Sequence, residues 1–202
     1  MSWINALVQG ALLGGYYALI ACGLSFLFSV MGVINVAHGS LAVLAAFALF
    51  TLADGYGVDP FVGLLIVAPA MAALGWALQR LVLQRASRSG LLAPILATFG
   101  LSILIDNLLF ERFGADTRSL APYLGDLAYA SWSLTDEIDI GELSLLIFVA
   151  ALALLGGLQL LLSFTPLGAR IRATAADPDT VGLLGIDARR TNAIAAAIAM
   201  AT

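Results

Sequence analysis

Apolar stretches of bilayer length recur along this chain and constrain its fold more than any other feature. Five of them, separated by polar links, occupy residues 3–30, 36–53, 60–83, 91–110 and 143–164. A helix that crosses the hydrocarbon core of a bilayer needs roughly 20 mostly apolar residues. Backbone polar groups find no water in that core, so a spanning segment must satisfy them internally as a helix. The sequence therefore predicts an all-α, polytopic transmembrane helical bundle.

The composition supports lipid as the main solvent and the bilayer as a partner. Only 11% of the 202 residues are charged and 61% are hydrophobic, whereas about a quarter of an average soluble chain is charged. A net charge of −4 is too weak to indicate a nucleic-acid partner. We expect one transmembrane domain over residues 1–202, with a sixth apolar block that starts near Thr191 and further spans to complete it. Cys22 lies inside the first block and is interpreted as a small packing residue.

The distribution of arginines predicts the orientation. Short cytoplasmic loops are enriched in Lys and Arg, and all nine basic residues of this chain are arginines, seven of which lie in two links: Arg80, Arg85, Arg88, Arg170, Arg172, Arg189 and Arg190. Acidic residues dominate the links at residues 54–59 and 111–142. We therefore expect the two arginine-rich links in the cytoplasm, and both acidic links and the N-terminus outside.

The most unusual stretch is residues 35–40, where Asn, His, Gly and Ser interrupt apolar sequence. Non-helical backbone at membrane depth is tolerated only inside protein or beside a water-filled cavity, and transporters build binding sites at such breaks. The sequence predicts a broken helix near residues 31–40. The alternative is an interfacial turn in which His38, the only histidine, bonds a backbone carbonyl. A metal site is not expected, because a lone histidine lacks co-ligands.

A polar stripe crosses the fourth apolar block. Thr98, Ser102 and Asp106 recur every four residues and so share one helix face, which we expect to point into the bundle, with Asp106 near its outer, water-accessible end. The hydroxyls either line a solute pathway or bond neighbouring helices and their own backbone carbonyls. The candidate pathway residues are Asn35, His38, Gly39, Thr98 and Ser102.

The link after the fifth block carries signals for two short helices. Thr165 and Asp177 each precede a proline, as an N-cap residue precedes proline at the first helical position. Gly185 stands where a helix C-cap belongs. We predict helices over residues 166–176 and 178–184. The arginines of this link either set topology and bind anionic lipid headgroups or meet a soluble partner.

Motifs of enzyme active sites are missing from the sequence. It contains no Gly-rich phosphate loop, no Cys/His cluster and no Ser/His/Asp arrangement on adjacent blocks. We therefore expect that the chain is not an enzyme. Transport, a channel or a membrane scaffold remain as classes of function.

Three groups of residues occur in an order that carries a family resemblance: YALIACGL at 17–24 with MGVINVAHG at 31–39, ATFGLSI at 97–103, and TPLGARIRA at 165–173 with LLGID at 183–187. In this order they resemble the permease subunits of branched-chain amino acid ABC importers. Together they extend over residues 17–187.

The resemblance implies a multi-pass subunit of the bacterial inner membrane that pairs with a second, related permease, two cytoplasmic ATPases and a periplasmic substrate-binding protein. Such a subunit needs no cofactor of its own, because ATP and magnesium bind to the partner ATPases. The solute expected from the resemblance is a branched-chain amino acid or a similar small polar solute, since the family includes relatives that move urea and short amides.

The resemblance also favours residues 165–190 as a cytoplasmic coupling element that docks onto an ATPase. The residues expected to couple are Arg170, Arg172, Asp177, Leu184, Gly185, Ile186 and Asp187. Two rival functions remain: a self-sufficient channel or secondary transporter for a small solute such as urea or an amide, and a scaffold that transports nothing.

Overall fold

Helices of membrane-spanning length dominate the fold. The computed structural model describes residues 3–90, 92–135, 138–178 and 180–202. Five helical segments within these residues are long and apolar enough to cross a membrane: α1 (Trp3–Met31), α2 (His38–Tyr56), a continuous segment from Pro60 to Ser89, α5 (Leu92–Phe113) and α6 (Glu142–Phe164). The predicted all-α transmembrane bundle is therefore confirmed.

The third spanning segment is not uniformly α-helical. It consists of α3 (Pro60–Leu78), a π-helical turn (Gln79–Leu83), α4 (Gln84–Ala86) and a 3-10 turn (Ser87–Ser89). Asp59 caps its start, since its carboxylate accepts a hydrogen bond from the Phe61 N–H group at 2.8 Å. The segment ends at Gly90, whose φ of +106° favours glycine.

The helix break predicted near residues 31–40 is confirmed. Helix α1 ends before Gly32, whose φ of +63° is a left-handed conformation, and α2 begins at His38. His38 Nε2 lies 3.1 Å from the Ile20 carbonyl oxygen. Ile20 precedes the end of α1 by roughly 16 Å at 1.5 Å per residue. The segment between the helices therefore turns back along α1, and α2 starts beside the middle of α1.

Two short elements and a last helix follow α6. Helix α7 (Pro166–Ala176) has the predicted bounds, and the Thr165 hydroxyl caps it by accepting from the Gly168 N–H group at 3.0 Å. The helix predicted over residues 178–184 is instead a 3-10 helix, Thr180–Leu184. The Asp177 carboxylate accepts from the Thr180 N–H group at 3.0 Å, so the element starts two residues later than predicted and is only five residues long.

Helix α8 (Ala188–Ala201) is packed between α1 and α3. Its contact face consists of small side chains, and Ala193, Ala195, Ala196 and Ala199 are all buried. A Cβ atom added at Gly75 of α3 would lie only 2.6 Å from the Ala196 carbonyl oxygen. Small residues at such contacts let helix backbones approach closely, which is the usual device in membrane bundles.

The acidic end of the molecule carries a β-hairpin that the sequence did not predict. Strands β1 (Ser131–Thr135) and β2 (Ile138–Gly141) pair antiparallel, and Gln9 of α1 donates to the Asp139 carbonyl oxygen at 2.6 Å. The Tyr123 hydroxyl donates to the Asp54 carboxylate, and this hydrogen bond raises the pKa of Tyr123. The two acidic links and the start of α1 therefore lie together at one end.

The two arginine-rich links lie together at the opposite end. One cavity of about 490 Å³ is lined there by Gln79 and Ser87 from the third segment, by Thr174 and Pro178 from the link after α6, and by residues 28–33. The structure therefore places both links on one side of the bundle, as the predicted orientation requires.

We expect the arginine-rich end to face the cytoplasm, and cysteine labelling of sealed vesicles tests this. In a Cys22→Ala background, Arg85→Cys and Arg170→Cys should react only with reagent inside, and Asp126→Cys only with reagent outside. All three positions are exposed in the structure. Labelling of position 126 from the cytoplasmic side alone would contradict the orientation.

Candidate functional site

Hydrogen bonds join the helix break to α5. The Val36 N–H group donates to Thr98 Oγ1 at 3.1 Å, and the Thr98 hydroxyl donates to the Pro94 carbonyl oxygen at 3.0 Å. Thr98 is only 1% exposed. One turn higher, the hydroxyl oxygens of Ser40 and Ser102 lie 2.8 Å apart. The structure thus brings two predicted pathway residues of α5, Thr98 and Ser102, against the break.

Asn35 shapes the break through local hydrogen bonds. Its side-chain oxygen accepts from the Ala37 N–H group at 3.1 Å, and its carbonyl accepts from the His38 N–H group at 3.2 Å. These bonds satisfy backbone donors that precede the first turn of α2, in the manner of an Asx turn. Asn35 is buried, so its position depends on this turn.

His38 bonds a backbone carbonyl, as one of the two alternatives for it assumed. A carbonyl oxygen can only accept, so the 3.1 Å contact with Ile20 assigns a proton to Nε2. Nδ1 is buried and has no hydrogen-bond partner among the described residues. The ring also lines a mainly apolar cavity of about 200 Å³ between α1, α2, α3 and α8.

Gly39, like the His38 ring, is a predicted pathway residue that the structure does not bring against Thr98 and Ser102. It is exposed, and a Cβ atom added there would meet nothing within 4 Å. No group of three or more His, Cys, Asp or Glu side chains within the described ranges could hold a metal ion.

The polar stripe of α5 continues beyond Ser102. The Ser102 hydroxyl lies 3.5 Å from Asp106 Oδ2, so the hydroxyl pair and the carboxylate form one chain along the helix. Asp106 is exposed on the surface of the described structure. The structure thereby confirms that the three residues share a face, and it places Thr98 against the helix break and Ser102 against α2.

A hollow of about 530 Å³ opens at the arginine-rich end between α7 and the start of α8. Five of the seven predicted coupling residues line it: Arg170, Leu184, Gly185, Ile186 and Asp187. Leu183 and Leu184 are 87% and 73% exposed. Gly185 has a φ of +74° and the Ile186 N–H group bonds the Val181 carbonyl at 3.2 Å, which is a Schellman-type ending.

The remaining predicted coupling residues lie outside the hollow. Arg172 is exposed but follows Arg170 by two residues, so it projects from another side of α7. Asp177 caps the 3-10 helix. Asp187 also has a local role, because its carboxylate accepts from the Arg189 and Arg190 N–H groups at 2.9 and 3.1 Å and caps α8.

Comparison with known proteins adds to this geometry. The profile of a family described as branched-chain amino acid transport system / permease component matches residues 6–201. The chain belongs to this family. No solved structure is significantly similar to this permease-family chain.

Curated relatives of this permease-family chain carry matching names. The high-affinity branched-chain amino acid transport system permease protein BraD of Pseudomonas aeruginosa is 27% identical over 201 residues, 95% of this chain. The corresponding protein LivH of Escherichia coli K12 is 24% identical over 203 residues, again 95% of this chain. A probable LivH of Methanocaldococcus jannaschii is 28% identical over 194 residues, covering 92% of this chain and 59% of that protein. The chain spans 65% of the length of BraD and LivH of Escherichia coli.

Sequence reasoning about this permease missed two groups in the junction. Ser40 was part of the unusual stretch but was not singled out, although it is the partner of Ser102. The Val36 N–H group carries no signal of its own, because every residue except proline has one. Only the packing of α2 on α5 reveals the acceptor that it needs.

We predict that Thr98→Val destabilises the protein more than Thr98→Ser does. Valine keeps the shape of threonine but leaves the Val36 N–H group without its acceptor, and an unsatisfied donor in a partly buried place costs about 1–3 kcal/mol. The apparent Tm of the purified full-length protein in detergent measures the effect. Equal Tm values for the valine and serine variants would show that this hydrogen bond does not hold the break.

Proposed function

We propose that this chain forms half of the translocation pathway of an ATP-driven ABC importer for branched-chain amino acids or a similar small polar solute. The observation that carries the proposal is the hydrogen-bonded junction between the broken helix and α5 in a member of this permease family. Non-helical backbone at membrane depth is characteristic of transporter binding sites. In this proposal the residues of the pathway are Asn35, His38, Gly39, Thr98 and Ser102.

The proposal includes the partners of an importer. A second, related permease supplies the other half of the pathway, two cytoplasmic ATPases bind ATP and magnesium, and a periplasmic protein delivers the solute across the bacterial inner membrane. The chain itself binds no cofactor. This assignment is supported by the curated relatives, which are named as permease proteins of high-affinity branched-chain amino acid transport systems.

The exposed leucines at the arginine-rich end support ATPase docking at the hollow. Leu183 and Leu184 project from the end of the 3-10 helix, and Arg170 and Arg190 line the hollow beside Leu184. Apolar side chains in such a surface supply most of the binding energy, while charged residues steer the partner. A soluble ATPase that covers these leucines would remove them from water.

Packing connects this docking surface to the helix break. Ile171 of α7 is 1% exposed and packs in one cluster with Phe26 and Leu27 of α1 and Ala195 of α8. Gly168 holds the turn between α6 and α7 tight, because a Cβ atom there would lie 2.5 Å from Leu162 Cα. A force on α7 therefore acts directly on α1, the helix that leads into the break.

Uptake by reconstituted protein tests the proposed function. We expect that the full-length permease, assembled with its partner permease and ATPases, takes up leucine into proteoliposomes only when ATP is present on the side of the ATPases. The control lacks the ATPase subunits and should show no flux. Leucine or urea flux through the permease without ATPases would contradict the importer and indicate a self-sufficient channel or secondary transporter.

The docking assignment predicts a difference between two matched double variants. Arg170→Glu with Leu184→Asp changes two residues of the hollow, and we expect ATPase affinity to fall about tenfold or more, since buried interface anchors each contribute 2 kcal/mol or more. Arg88→Glu with Leu92→Asp makes the same chemical changes at two exposed residues of the other arginine-rich link, outside the hollow. Pull-down of the ATPases and solute-stimulated ATP hydrolysis are measured for both double variants. Equal retention or equal loss by the two variants would contradict docking at the hollow.

A further inference from the structure

Asp106 is a carboxylate at membrane depth. Helix α5 runs from Leu92 to Phe113 and is one of the membrane-spanning segments. Asp106 lies seven residues before its outer end, or roughly 10 Å at 1.5 Å per residue. Since the helix is roughly as long as the hydrocarbon core is thick, this carboxylate lies within the span.

The rest of the described structure does not neutralise this carboxylate. Over residues 3–90, 92–135, 138–178 and 180–202, the carboxylate of Asp106 is hydrogen-bonded to the Ser102 hydroxyl at 3.5 Å. The two arginines of the outer end are engaged elsewhere, with Arg112 over the Phe113 ring and Arg118 over the Phe50 ring, each at 5.8 Å. An acidic side chain that faced lipid would be costly, so such residues face a protein interior or a water-filled path.

Hydroxyl groups orient the carboxylate along the helix. If the Ser102 hydroxyl donates to Asp106, its oxygen remains free to accept the proton of Ser40 at 2.8 Å. The same face of α5 carries Thr98 at the helix break. The carboxylate is therefore the outer end of a polar chain that leads to the proposed pathway.

Apolar side chains flank Asp106 on the same face. Ile103 and Phe110 lie three residues before and four residues after it, the spacings that put side chains next to each other on a helix. They are 48% and 63% exposed. The neighbouring Asn107 donates an amide N–H to the Ile103 carbonyl oxygen at 2.7 Å, which holds its side chain along the helix.

We propose that Asp106 binds the ammonium group of a zwitterionic amino acid as the solute passes through the outer part of the pathway. The carboxylate accepts charge-assisted hydrogen bonds from the ammonium group, while Ile103 and Phe110 contact an aliphatic side chain. The inference rests on the proposed function and narrows its solute to aliphatic amino acids over urea and simple amides. Urea and simple amides lack the cation that Asp106 requires.

Direct binding to the assembled complex tests the proposal. The full-length permease with its partner permease and ATPases is placed in nanodiscs without the binding protein, whose own recognition of the ammonium group would mask the effect. Radiolabelled leucine is the probe. We expect Asp106→Asn to weaken leucine binding about tenfold or more, as expected for a hydrogen bond between two charged groups, and Asp106→Glu to retain most of the affinity.

Two controls make the result specific. Asn107→Ala changes a polar residue at the same depth and should match wild type. The deaminated analogue 4-methylpentanoate keeps the aliphatic chain and the carboxylate, and Asp106→Asn should not weaken its binding. If Asp106→Asn weakened the binding of leucine and of 4-methylpentanoate to the same extent, the assignment would be overturned. Unchanged leucine binding by Asp106→Asn would also overturn it.

Copurification of the second permease tests the remaining explanation, which is an ion pair between Asp106 and that subunit. If Asp106 pairs with an arginine of the second permease, Asp106→Asn should lower copurification of that subunit, and this outcome would also overturn ammonium binding. Failure of the wild-type complex to take up leucine with ATP would overturn the proposed importer itself. Normal wild-type uptake together with full leucine binding by Asp106→Asn would overturn only the role of Asp106.

Discussion

The hydrogen bond from the Val36 N–H group to Thr98 is the interaction on which the junction of α2 and α5 depends. Lipid offers no acceptor, so a chain that leaves helical geometry within a membrane must bring its own. Thr98 can serve because its own proton goes to the Pro94 and Ile95 carbonyl oxygens, each 3.0 Å away, which leaves an oxygen lone pair for Val36. Once this bond fixes α2 against α5, Ser40 meets Ser102 one turn higher. The polar chain that ends at Asp106 follows from this contact between Ser40 and Ser102.

A second constraint is the close packing of α8, which holds together parts that are distant in sequence. Helix α3 packs on the alanine face of α8 at Gly75, and α1 packs there at Gly23. A Cβ atom added at Gly23 would also lie 2.9 Å from the His38 ring. Ile171 of α7 enters the same packing through the cluster around Phe26. The arginine-rich surface and the break are therefore two edges of one closely packed body, so that displacement of α7 requires movement of α1 or α8.

The sequence predicted those features that depend on local physics. Block length located the five spans, and the Thr165 cap with its following proline located α7 to the residue. It failed where local signals compete or are short: the Asp177 cap starts a 3-10 helix, and the strands of the hairpin have only five and four residues. The pairing of Ser40 with Ser102 could not be predicted, because it depends on how α2 and α5 pack. The roles proposed for these residues in transport stay predictions.

Within the part of the chain that the structure describes, three buried polar atoms without a hydrogen-bond partner lie where these packed parts meet. Among the described residues, His38 Nδ1, Gln79 Oε1 and Asn192 Oδ1 are buried without hydrogen-bond partners, and each such group costs about 1–3 kcal/mol. Gln79 also begins the π-helical turn, a geometry that is frequent at functional sites. Rearrangement at these atoms can gain hydrogen bonds, whereas separation of the alanine face of α8 can only lose packing. The polar atoms at the break, at the π-turn and near the start of α8 are therefore better placed to change partners than the alanine face of α8 is to separate.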